Sequence, residues 1–160
     1  MTPLLIQNAL ATFLQENLST LQMDGQGKAS GPPRIFIDAL PPSLSDEEVY
    51  PFVIVRWLAG EDSGENDESL ETFDLIIGVF GEAANNTGEY AAAVSAQWAM
   101  VAVTRLRRLL CENKILAKKY ELQYPLHSKI PMPERLQSSY LQAVVTTQWS
   151  APAPVQNLEA

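Results

Sequence analysis

Two alternating apolar runs, Phe52 to Leu58 and Phe73 to Phe80, constrain this chain more than any other feature. Both are rich in β-branched and aromatic residues and repeat with period two, the pattern of neighbouring strands in one sheet. Between them stand Glu61, Asp62, Glu65, Asp67, Glu68 and Glu71, with no basic residue. Desolvating so many unpaired carboxylates is costly, so 61–71 is expected to project into water as a long hairpin loop. In the first run Val53, Val55 and Trp57 share one face, and Phe52, Ile54 and Arg56 the other. In the second, Phe73, Leu75, Ile77 and Val79 oppose Asp74, Ile76, Gly78 and Phe80. One side of the sheet therefore reads as buried and the other as mixed.

The flanking segments supply helices to cover that sheet. Thr2 and Pro3 are a side-chain cap and a first-turn proline. Ile6, Leu10, Phe13, Leu14, Leu18 and Leu21 then recur at helical spacing, predicting a helix to about Met23. Gly25 to Pro33 reads as a connector, and Arg34 to Leu40 as a short strand ended by Pro41 and Pro42. Ser45 and Glu48 have capping-box spacing, but Pro51 leaves room for one turn only. Asn86 and Glu89 repeat that spacing and open a long helix, Thr87 to Glu112. Its apolar side carries Val94, Trp98, Val101, Ala102, Leu106, Leu109 and Leu110. Tyr120, Leu122 and Tyr124 alternate in a strand expected to close at Pro125, and Tyr140 to Ser150 form the last strand.

The order α-β-β-β-α-β-β predicts an α+β fold: a mainly antiparallel sheet of about five strands, with two amphipathic helices packed on one face. Residues 1–150 read as a single domain and 151–160 as a flexible tail. With 160 residues and 46% apolar content the chain can bury a sizeable core.

The formal charge of −8 argues against general binding to nucleic acid or anionic membranes. Arg105, Arg107, Arg108, Lys114, Lys118 and Lys119 nevertheless crowd into one short span. One reading sets the arginines near a helix C-terminus, where cations oppose the dipole. The other is a patch that meets an acidic surface on a partner or on another copy of the chain. The single cysteine, Cys111, allows no intrachain disulfide and fits a reducing compartment. Met1 to Ile6 lacks the basic start of a secretory signal, and no apolar run approaches the roughly 18 residues of a membrane span. The chain is read as cytoplasmic where it is made.

Catalytic constellations are hard to find. Cys111 and His127 form the only Cys–His combination, but Cys111 sits among leucines and reads as a core residue. One cysteine and one histidine cannot supply a zinc ligand set. Asp62 to Glu68 lacks EF-hand order, because Gly64 comes too early and strands replace the flanking helices. Gly25-Gln26-Gly27 does not link a strand to a helix, as a phosphate cradle requires. No enzymatic activity, metal or cofactor is expected.

Several strings then combine: the N-terminal amphipathic helix, Tyr50-Pro51-Phe52-Val53-Ile54-Val55, the acidic stretch, and Thr72 to Gly81 before a long helix. The chain ends with Tyr120-Glu121-Leu122-Gln123, Val145-Thr146-Thr147-Gln148-Trp149 and a proline-containing tail. This pattern resembles the tail-completion, or tail-terminator, proteins of tailed bacteriophages and prophages. The resemblance implies a non-catalytic α+β subunit in a ring, typically a hexamer, that caps the tail tube and joins it to the head. Implied partners are further copies of itself, the tail tube protein and the head-neck connector proteins. Assembly would take place in the host cytoplasm, with the finished protein in the virion tail or neck.

DNA would pass through such a ring without specific binding. An acidic lining repels phosphates, so Glu61, Asp62, Glu65, Asp67, Glu68 and Glu71 are the candidate lumen or axial residues. The six basic residues are the candidate subunit interface. An alternative is a small non-catalytic binding or adaptor domain from a bacterial or prophage operon, which would recruit a partner through a sheet edge or the acidic loop.

Overall fold

Alternating apolar residues gain most by pairing their backbones in a sheet and turning one face inward, and that sheet organises the chain. The computed structural model describes residues 2–20, 32–45, 49–63, 68–80, 88–130 and 140–152. Its elements are α1 (Thr2–Asn17), β1 (Arg34–Ile37), β2 (Phe52–Ser63), β3 (Glu68–Phe80), α2 (Gly88–Glu112), β4 (Ile115–Leu116), β5 (Tyr120–Lys129) and β6 (Tyr140–Pro152). The α+β class agrees with expectation. The sheet has six strands rather than about five, in the order β1-β2-β3-β6-β5-β4.

Nor is it wholly antiparallel. β1 runs parallel to β2, pairing Arg34 to Ile37 with Phe52 to Val55. A parallel pair needs a crossover of roughly a dozen residues or more, and the stretch from Asp38 to Pro51 supplies one. Within that stretch Val49 N donates to the Ser45 carbonyl at 3.2 Å. The remaining pairings, β2–β3, β3–β6, β6–β5 and β5–β4, are antiparallel.

Both helices pack on the face carrying Val53, Val55, Phe73, Leu75, Ile77 and Val79, as the alternation predicts. Ile6, Leu10, Leu14 and Leu18 come from α1 and its C-terminal continuation. Ala99, Ala102, Val103, Leu106 and Leu110 come from α2. Val101, expected on the apolar side, is 52% exposed, because the buried stripe steps past it from Ala99 to Ala102 and Val103. Gln7 pins α1 to the sheet edge, its Nε2 donating to Asp38 Oδ1 at 2.7 Å and to the Val55 carbonyl at 3.0 Å. The opposite face carries a smaller cluster of Val49, Tyr50, Phe52, Ile54 and Ile76, packed against Phe36, Leu40, Leu44 and Val144.

Several boundaries move. α1 ends at Asn17, and the expected continuation through Leu21 to Met23 lies outside the described residues. Strand β5 does not close at Pro125 but continues to Lys129, with its register to β6 broken between Gln123 and His127. Proline is tolerated there because the irregular stretch demands no ladder hydrogen bond from it. Ala151 and Pro152, expected in the tail, belong to β6, which pairs with β3 as far as Pro152. Residues 131–139 and 153–160 lie outside the described residues.

Candidate functional site

The acidic stretch is mostly strand, which corrects the expectation of a loop over 61–71. Glu61, Asp62 and Ser63 belong to β2, while Glu68 to Glu71 belong to β3. Two ladders hold this distal hairpin: Glu61 pairs with Leu70 and Asp62 with Ser69, while β3 pairs onward with Ser150 to Pro152 of β6. Backbone hydrogen bonds on both sides of β3 outweigh the preference of acidic side chains for coil, because strand alternation lets a carboxylate point to water without unpairing its amide. Glu65 and Asp67 lie outside the described residues.

The remaining acids divide between the two faces. Alternation from Asp74 sets Leu70 and Glu68 on the face away from the helices, the register shift between Trp57 and Ala59 brings Glu61 to that face opposite Leu70, and both acids are exposed. Asp74 and Glu121 share that face. Its cations are Arg34, Arg56 and Lys129, of which Arg34 and Lys129 lie toward the far strand ends, level with Gly78 and Ile76. Arg56 stands opposite Asp74, and its Nε donates to the Asp38 carbonyl at 3.0 Å. Glu61 and Glu68 lie at the hairpin end away from these three cations, while Glu121 lies next to the β4–β5 turn that carries Lys118 and Lys119. Asp74 Oδ1 accepts from Thr146 Oγ1 at 2.6 Å across the β3–β6 pair.

Glu71 departs from the solvated reading altogether. It lies on the helix-side face and is only 5% exposed. Its Oε2 accepts from Trp57 Nε1 at 2.8 Å. Gly60, its cross-strand partner, makes room: a Cβ there would lie 3.0 Å from Glu71 Cδ and Oε1. A buried carboxylate needs a donor and space, and a tryptophan and a glycine across the ladder provide them. Glu71 therefore cannot line a channel. Ser69, two residues earlier on the same face, is also buried, and its Oγ has no partner among the described residues.

The basic residues gather at the other end of the sheet. Arg105, Arg107 and Arg108 are exposed on α2. The dipole reading of these arginines fails, because the last turn of α2 holds no basic residue and the dipole acts within that turn. Arg108 instead pairs with Glu112 at 2.9 Å, an exposed contact that contributes little stability. Lys114 follows the helix and lies 5.3 Å from the centre of the Tyr124 ring, and Lys119 lies 5.9 Å from that of Tyr120.

Between β4 and β5 the chain reverses through Ala117 and Lys118, both at positive φ (49° and 61°), with Lys119 N donating to the Leu116 carbonyl at 3.0 Å. That is the backbone of a tight hairpin turn. Strand β4 escapes detection in the sequence because two residues are too short for any periodicity to register.

Cys111 and His127 do not form a nucleophile–base pair. The Cys111 side chain is a neighbour of the Tyr124 phenol, and its interaction there, followed by desolvation, holds the phenol pKa above its ordinary value of 10.0. His127 is exposed on β5. A groove of about 490 Å³ runs between α1 and the β4 turn, lined by Asn8, Thr12, Phe13, Glu16, Asn113 and Ile115 among others. Its wall combines amides and apolar groups with one carboxylate. Among the described residues no three His, Cys, Asp or Glu side chains lie close enough to hold a metal ion. No described helix is long and apolar enough to cross a membrane.

Compared with the models of known families and with curated proteins, the chain matches none. The fold and the charge map thus define an α+β domain with a six-stranded mixed sheet, acidic at its β2–β3 end and basic at its β4 end.

Proposed function

We propose that this chain is a structural subunit of a closed ring, the terminating collar of a bacteriophage or prophage tail. In this reading about six copies cap the tail tube and connect it to the head, and the subunit carries out no catalysis. The observation that carries the reading is the separation of charge to opposite ends of one sheet. Glu61 and Asp62 lie at the β2 edge, whereas Lys114, Lys118 and Lys119 flank β4 at the far edge. A subunit with unlike ends favours head-to-tail contacts, and a rotation that closes makes a ring. The sequence resemblance supplies the station in the virion.

The lumen assignment is carried by fewer residues than the sequence alone indicated. Glu68 remains exposed at the hairpin end of the helix-free face, and an anionic rim repels phosphates. DNA then slides past without being held. The deciding experiment is negative-stain imaging of the purified protein mixed with tail tubes. Rings seated on tube ends are the expected image; bare tubes among free subunits refute the proposal.

A further inference from the structure

We infer that β2 of one copy and β4 of the next are the two halves of a subunit interface. The inference takes the multi-copy reading above as its starting point and names the surfaces that meet. β1 covers the outer edge of β2 only from Phe52 to Val55. From Arg56 to Ser63 no described strand pairs with that edge. A sheet edge that long presents unpaired amides and carbonyls to any incoming strand. It carries no proline or lysine; its register to β3 shifts between Trp57 and Ala59, and the regular ladder from Ala59 to Ser63 is the part left to a neighbour, with Trp57 and Leu58 beside it 45% and 48% exposed. At the other end of the sheet no described strand pairs with the outer edge of β4, which borders the groove beside α1, and Ile115 there is 61% exposed.

Three features make these edges complementary. The first is height along the strands. Glu61 pairs with Leu70, Leu70 with Ser150, Ser150 with Glu121 and Glu121 with Ile115, so one cross-strand row runs from edge to edge. Rotation about an axis along the strands carries Ile115 of one copy to the level of Glu61 in the next. The second is direction. Four successive antiparallel pairings leave β4 pointing the same way as β2, the orientation in which β1 already binds that edge. A neighbour's β4 therefore continues the line where β1 stops.

The third is chemistry. Glu61 and Asp62, which this register sets level with Ile115 and Leu116, lie beside the exposed Lys118–Lys119 turn that follows β4. The only ion pair among the described residues is Arg108–Glu112, so these acids and lysines have no ionic partner among those residues. Unlike charges on the two surfaces steer docking and set its register.

Disulfide trapping tests the contact. Glu61→Cys and Ile115→Cys are combined in a Cys111→Ser background, with circular dichroism to verify folding. Within one chain the two cysteines are four strand spacings apart, at most roughly 19 Å at about 4.8 Å per spacing; an intrachain disulfide, which needs Cα atoms within about 7 Å, would show as a monomer of altered mobility on a non-reducing gel. Oxidation of the concentrated protein is expected to give a ladder of multimers extending beyond the dimer, whereas either single cysteine stops at a dimer. A double-cysteine chain that remains monomeric or stops at dimers overturns the inference.

Charge reversal provides a second measurement that does not depend on the cysteine variants. Glu61→Lys with Asp62→Lys, and separately Lys118→Glu with Lys119→Glu, are each expected to weaken self-association by roughly a hundredfold. Mixing the two variants in equal amounts restores it, because each reversed edge then meets its complement. Lack of recovery in the mixture counts against the contact. Multimers that never seat on tail tubes would sustain this interface and refute the tail reading. Rings on tubes whose cysteines stay unlinked would do the opposite.

Discussion

Gly78→Ala offers a sharp test of how the second, smaller core is packed. Gly78 pairs across the ladder with Phe52, and the Phe52 ring lies directly over the glycine. A Cβ at position 78 would overlap the ring, with Phe52 Cδ1 only 2.7 Å away. The ring cannot easily yield. It is fully buried and packs edge-on to Tyr50 at a centroid distance of 4.7 Å, within the cluster that includes Ile54 and Ile76.

Overpacking of this kind costs about 1–3 kcal/mol. The backbone of Gly78 is not left-handed, so alanine also lowers unfolded-state entropy, a gain of about 0.4–1 kcal/mol. The net loss is therefore at most about 2.6 kcal/mol, and at about 2–4 °C per kcal/mol for a chain this size the melting temperature falls by up to roughly 10 °C. The assay is a double-mutant cycle by urea and thermal unfolding, with Phe52→Leu as the second arm. Removing ring volume should make Gly78→Ala nearly neutral or stabilising in that background. Equal cost in both backgrounds would show that the ring is not what excludes the methyl group.

Trp57→Phe removes the indole donor to the buried Glu71 carboxylate and is expected to cost about 1–3 kcal/mol in urea unfolding. Glu71→Gln in the same chain should recover part of that loss, and no recovery would remove the buried-charge explanation. Ala117→Asn combined with Lys118→Gly suits the two positive-φ positions of the β4–β5 turn and should stabilise the chain by about 1 kcal/mol in thermal unfolding. An unchanged melting temperature would mean that the turn is not strained. Ser69→Ala deletes a buried hydroxyl with no partner among the described residues, and should be neutral or stabilising by about 1 kcal/mol. A loss of that size would reveal a hydrogen bond not seen in the described residues.

Much of the framework is legible in the residues alone. Alternation at Val53–Val55 and Phe73–Val79 identifies both central strands and their buried face, since period two is a local property that side-chain chemistry alone enforces. Helical spacing from Ile6 to Leu18 does the same for α1, and the stripe from Ala102 to Leu110 for most of the buried side of α2. These signals survive because each residue's preference agrees with its neighbours'.

Tertiary structure decided what depends on partners distant in the chain. The acids at 61, 62, 68 and 71 entered strands because β6 supplies a ladder along β3, and no local signal announces that neighbour. Glu71 is buried only because Trp57 and Gly60 lie across the ladder from it, whereas composition counts it as solvated. The parallel pairing of β1 depends on the path from Asp38 to Pro51, and β4 exists only as an addition to β5. The two charged segments are visible in sequence, but strand order determined that they lie at opposite edges of one sheet. Residue types set local geometry and solvation, while which strands become neighbours is a long-range choice made by the whole core at once.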